Sequence, residues 1–132
     1  MAGYNIGPKI GIDGEAEFRQ QITRLNASYK TLTAETKAVT AAFDANGDEQ
    51  GKLRATAQQL EKQIDNQRKR SDLLSDAIQK ASQKYKEDSV EVQRLQAALY
   101  DTQATITGLE QDLSKTNAEL EKAGDNTGDF AD

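Results

Sequence analysis

Four groups of side chains have residue types, and nearly the spacing, that chemistry needs. Asp44, Asn46 and Asp48 alternate as the first ligands of a calcium loop do. Such a loop also needs Gly at its sixth position and a bidentate Glu at its twelfth. Glu49 and Ala55 stand there instead, so the stretch reads as a polar turn that ends a helix. Glu15 with Glu17, and Glu87 with Asp88, are paired carboxylates of the kind general acid–base work uses. A raised carboxyl pKa requires burial, and nothing around either pair in the sequence builds a pocket. Arg68-Lys69-Arg70 is the one compact basic cluster. It reads as a solvated face beside a polar layer, or as a docking patch for an acidic partner or a phosphate backbone. Finally, the Phe and Tyr residues could stack bases, but a single-strand binder sets such a stripe in a positive groove, and none is evident.

The elements that would have to position these groups are helices. The chain has 132 residues, 36% apolar, 30% charged and 5% aromatic, with one Pro. A compact domain draws on roughly 45–50% apolar residues, so this composition suits long helices that bury a narrow stripe. Neither Cys nor His occurs. Disulfides, thiolate catalysis and cysteine zinc sites are thereby excluded, and the commonest general base is missing. The net charge of −5 opposes specific nucleic-acid binding and attachment to an anionic membrane surface. No stretch approaches the ~20 apolar residues that span a bilayer, and Met1-Ala2-Gly3-Tyr4-Asn5 lacks the basic and apolar regions of a signal peptide. The expectation is a non-enzymatic chain without cofactor, metal or small-molecule substrate.

From Phe18 onward, apolar residues fall in steps of four and three. The seam is Phe18, Ile22, Leu25, Tyr29, Leu32, Val39, Phe43, Leu53, Leu60, Ile64, Leu74, Ile78, Tyr85, Val92, Leu95, Leu99, Ile106, Leu109, Leu113 and Leu120, with Thr36 filling one gap. One unbroken heptad frame holds 20 of the 23 large apolar residues in that span, and only Leu73, Val90 and Tyr100 lie off it. A 3.5-residue period held this long is the signature of a coiled coil. Gln67 and Ser71 form a polar layer within it. A shift of 42 residues superposes Ile22 on Ile64, Leu32 on Leu74, Phe43 on Tyr85 and Ile64 on Ile106, a weak internal repeat of six heptads.

The fold class is therefore all-α: long heptad-patterned helices, as a coiled coil or a folded-back hairpin or bundle, after a short extended arm. The arm covers residues 1–13, with Ile6, Ile10 and Ile12 alternating as in a short strand around Pro8. Helix one is expected over 14–45 with Asp13 as N-cap, helix two over 48–86 with Asp48 as cap, and helix three over 89–122. Asn46-Gly47 ends helix one. At the second corner, Tyr85-Lys86-Glu87-Asp88-Ser89 has neither Gly nor Pro, so a turn with an Asp88–Glu91 capping box and a continuous helix both remain open. Residues 123–132 are Gly-rich and acidic, and read as a flexible linker.

Two stretches together resemble a known family. One runs from Ile6-Gly7-Pro8-Lys9-Ile10-Gly11-Ile12-Asp13-Gly14-Glu15-Ala16-Glu17-Phe18 through Ile22 to Lys37-Ala38-Val39-Thr40-Ala41-Ala42-Phe43. The other runs from Leu60-Glu61-Lys62-Gln63-Ile64 through Lys84-Tyr85 and Asp88-Ser89 to Leu95. They look like the amino-terminal region of tail tape measure proteins from long-tailed phages and prophages of Gram-positive bacteria. The chain departs from that pattern at Lys86, where the family often has Gly. The resemblance implies a fragment of a longer structural protein, a ruler and scaffold in the lumen of the tail tube. Its implied partners are other copies of itself (dimer or trimer), tail tube proteins and tail assembly chaperones. Its implied locations are the host cytoplasm during assembly and then the virion tail lumen. A free-standing helical-hairpin adaptor is the alternative.

Overall fold

The computed structural model describes residues 9–131, with side chains through Ala123. Three helices account for 89% of these: α1 (Glu15–Asn46), α2 (Glu49–Lys84) and α3 (Val90–Ala131). At 1.5 Å per residue, α2 is roughly 54 Å long. The chain folds back twice, so α1 and α3 run parallel and α2 runs antiparallel between them. Cross-helix bonds fix this register: Asp44 meets Lys52 at one end, Gln63 meets Thr36 midway, and Lys80 meets Asp13 at the other. Across the second interface, Arg68 meets Glu110 and Arg70 meets Thr102. Both α1 and α3 pack along α2, while their own backbones make no close approach to each other among the described residues.

The first corner follows local chemistry. Gly47 takes φ 71°, a left-handed conformation that costs a residue with Cβ about 1–2 kcal/mol. Its N–H and that of Asp48 return to the Asp44 and Phe43 carbonyls. The Asp48 carboxylate then accepts from Gly51 N at 2.9 Å and caps α2, as its side-chain type implies.

The second corner is a turn. Tyr85 leaves the helix in an extended conformation (φ −123°, ψ 159°), and Ser89 N donates to Lys86 O at 3.0 Å. In place of the Asp88–Glu91 box left open for a turn here, Ser89 caps the helix, its hydroxyl accepting from Val92 N at 3.3 Å. α2 accordingly ends at Lys84 rather than residue 86. At the start of α1 the cap residue is Gly14, without a side-chain bond, and not Asp13. α3 carries on to Ala131 through the stretch expected as a linker from residue 123. No Pro stops it, and Gly124 and Gly128 in that stretch cost only about 1 kcal/mol each against an established helix.

Of the arm, Ile6 lies outside the described residues, and residues 9–12 are irregular rather than a strand. The alternation nevertheless places Ile10 and Ile12 in the core. They join Phe18 and Ile22 of α1, Leu74, Ala77 and Ala81 of α2, and Val92, Leu95 and Ala98 of α3. A smaller cluster of Leu60, Ile64 and Leu109 lies higher up, with Tyr29 and Leu113 against it.

Candidate functional site

Every one of the 20 large apolar seam residues is buried or half-buried. Phe18, Ile22, Leu60, Ile64, Leu74, Val92, Leu95 and Leu109 are buried. Leu25, Tyr29, Leu32, Val39, Phe43, Leu53, Ile78, Tyr85, Leu99, Ile106, Leu113 and Leu120 are half-buried. Among the described residues, the two large apolar side chains most open to solvent, Val90 at 56% and Tyr100 at 66%, are among the three off the frame. The half-buried set dominates the upper half of α1 because α2 covers only one side of it. Burial there raises the Tyr29 phenol above its ordinary pKa.

The seam threonines follow one local rule. Thr36, Thr102 and Thr116 each donate to the carbonyl four residues back, at 2.8 Å. This satisfies the hydroxyl within the helix and leaves the methyl for packing.

Seam reasoning missed a second stripe on α2. Gln59, Gln63, Asn66, Arg70 and Ala77 are all buried, and Leu73 is half-buried on the same line. Their spacing is again four and three. A middle helix with a neighbour on each side buries two stripes, and this one is mostly polar. Gln63 Nε2 donates to Thr36 Oγ1 at 3.0 Å, and Asn66 Nδ2 donates to the Leu25 carbonyl at 3.1 Å. Gln67, 3% exposed, donates to Asn66 Oδ1 at 3.0 Å, and Ser71 beside it is half-buried.

Arg70 corrects the reading of the basic cluster as a solvated face. It is only 1% exposed, and Nη1 donates to Thr102 Oγ1. Its Nε and Nη2 have no hydrogen-bond partner. Burial pushes the guanidinium pKa down, and the nearby Asp101 charge opposes that. Arg68 and Lys69 do lie at the surface, paired with Glu110 at 2.8 Å and Asp65 at 3.1 Å. The cluster thus divides between a buried residue and two solvated ion pairs, and presents no joint docking patch.

At the base of the molecule the arm is held by a set of directed bonds. The Glu15 carboxylate, 7% exposed, accepts from Ile10 N at 2.7 Å, Gly11 N at 2.6 Å and Arg19 Nε at 2.8 Å. Burial works against its charge, but the Ile10 and Gly11 N–H groups and Arg19 outweigh it and hold the pKa at about 2. The arm's carbonyls in turn accept from the end of α2. Tyr85 Oη donates to Ile10 O at 2.7 Å and Lys84 Nζ to Gly11 O at 2.8 Å. Gly11 has φ 81°, and a Cβ there would lie 2.9 Å from Lys84 Nζ.

The carboxylates considered for metal are otherwise engaged. Asp44 pairs with Lys52 at 2.6 Å and Asp48 caps α2. Among the described residues, no three His, Cys, Asp or Glu side chains converge on a common point, and no helix is long and apolar enough to cross a membrane. The concavities are open troughs. One of about 670 Å³ on the α2–α3 flank is lined by Ile64, Arg68, Glu110 and Leu113, and one of about 410 Å³ on the α1–α2 flank by Arg24, Leu25, Lys69 and Leu73. Comparison with family models, with curated proteins and with solved structures finds no match for this chain.

Proposed function

We propose that this chain is a structural segment, a ruler and scaffold of the kind a phage tail tape measure protein supplies to tail tube assembly. The observation that carries the reading is the unbroken heptad frame from Phe18 to Leu120, preceded by the Ile10-Gly11-Ile12-Asp13-Gly14-Glu15 opening that resembles that family. The elongated shape supports it. The accessible surface is 8413 Å², against roughly 6,900 Å² for a compact monomer of this length. On this reading the chain binds no cofactor and catalyses nothing. Its partners are further copies of itself, the tail tube and a tail assembly chaperone, in the host cytoplasm and then in the tail lumen.

Helix geometry makes the test quantitative. Deleting residues 47–88 in the phage removes six heptads and keeps the frame, and 42 residues of a ruler extended as one continuous helix correspond to roughly 63 Å. Tails shorter by about that length in electron micrographs support the ruler. Tails of unchanged length refute it. The alternative, a free-standing helical-hairpin adaptor, draws on the folded-back arrangement of the three helices. It predicts that tails assemble normally without the protein.

A further inference from the structure

The heptad frame runs in phase through both corners, although a hairpin imposes no phase between its two arms. Tyr85, Asp88, Val92 and Leu95 continue the four-and-three spacing without a slip. Chance would restore phase at one corner about one time in seven. The sequence of the second corner carries no helix breaker, since Lys86, Glu87 and Asp88 have neither the ring of Pro nor the freedom of Gly. Beside its own Ser89 N–Lys86 O and Val92 N–Ser89 Oγ bonds, the turn there is held from outside. Tyr85 is drawn out of α2 by its bond to Ile10 O, Lys84 is tied to Gly11 O, and Lys80 reaches the Asp13 carbonyl at 3.4 Å. All three acceptors belong to the arm, and the arm is fixed to α1 by the Glu15 carboxylate.

The folded-back form also buries the polar stripe of α2, with the Arg70 Nε and Nη2 and the Gln59 Oε1 left without hydrogen-bond partners. In a single straight helix with one seam, Gln63 and Arg70 flank that seam and Gln59 and Asn66 lie farther from it, where charged and polar side chains reach water.

The geometry points to a latch: residues 9–14 hold the Tyr85–Ser89 corner bent, and their release lets α2 and α3 join into one helix whose continuous seam pairs with a second copy of this chain. The partner is a second copy because the face exposed by straightening is the same Ile- and Leu-rich heptad seam that each copy carries.

The chain has no Cys, so Arg68→Cys with Glu110→Cys places two spin labels at exposed, facing positions. Folded back, they report the spacing of neighbouring helices, about 10 Å between axes. In a straight helix, 42 residues apart, they report roughly 63 Å. Labelled chain diluted in unlabelled chain should show only the short distance and sediment as a monomer. Release of the latch by Glu15→Ala with Tyr85→Phe should populate the long distance and double the mass, with helix content retained. Adding Glu87→Pro to that variant should restore the short distance and the monomer. Position 87 is the second residue of the 86–89 turn, which favours Pro, and a continuous helix excludes Pro there. A released variant that keeps only the short distance overturns the proposal. So does one that loses its helix without showing the long distance, or a long distance that Glu87→Pro leaves in place.

Discussion

Replacing Arg70 by Met should make the folded chain more stable, although it removes a cross-helix hydrogen bond. The bond lost is the charged one from Nη1 to Thr102 Oγ1, worth about 1.5–3 kcal/mol. Against it stand two buried N–H-bearing nitrogens without partners, each costing about 1–3 kcal/mol. The charge itself is buried with only Asp101 to compensate, and apolar replacements for buried ionic groups range from neutral to about 4 kcal/mol stabilising. Thr102 is not orphaned by the change, since its hydroxyl still donates to the Ala98 carbonyl at 2.8 Å. The net expectation for Arg70→Met is a gain of about 1–3 kcal/mol. Urea unfolding should show a higher midpoint at unchanged slope. Thr102→Val should move the other way in the native background, by about 2 kcal/mol, because it strips Arg70 of its one bond. In the Arg70→Met background the same change should be nearly neutral. A loss above 1 kcal/mol for Arg70→Met, or additive effects in the double mutant, would refute the view that the guanidinium is poorly compensated.

Three further outcomes are expected. The Glu15 carboxyl ionises near pH 2 in the fold and near its ordinary 4.5 when unfolded, so its contribution is complete above about pH 4.5 and fades as pH falls toward 2. Screening by nearby solvent limits the contribution to about 1–2 kcal/mol, and Glu15→Gln should remove this part of the acid dependence of the melting temperature. Gln67→Leu with Ser71→Ile should raise the melting temperature, because Gln67 is buried with one bond and each large apolar side chain adds about 1.5–3 kcal/mol when fully covered; a fall in stability would mean that these positions do not pack on the seam. Gly47→Ala, at φ 71°, should cost about 1–2 kcal/mol in urea unfolding.

The seam was legible in the sequence because a two-residue choice, apolar or polar, repeated over many turns reports one buried face. The same logic hid the second stripe of α2. Gln59, Gln63, Asn66 and Arg70 are buried by the position of their helix between two others, and polar residues do not announce burial. One signal was available: Leu73, off the frame, falls four and three residues from Ala77 and Arg70 on that stripe. The second corner stayed open for a different reason. Its local residues suit a helix or a turn, and the choice is made some 75 residues away in sequence, where Ile10 receives the Tyr85 hydroxyl. Asp13 failed as a cap for a related cause. Glu15 commits its carboxylate to the arm's N–H groups, and the chain enters α1 through a left-handed Gly14 instead.

An odd number of antiparallel passes delivers the chain to the pole opposite the one it entered. It enters α1 beside the Tyr85 corner and leaves α3 beyond the Gly47 corner, with α2 alone joining the two. Tension applied at the ends therefore loads both helix interfaces in shear, along their length, rather than peeling them one contact at a time. Both must slip before either end advances. When they do, the span grows from roughly one helix length to three, from about 54 Å to about 165 Å, with the helices themselves intact. Such a segment, placed in series within a longer chain, stores slack of about two helix lengths that is given up at once.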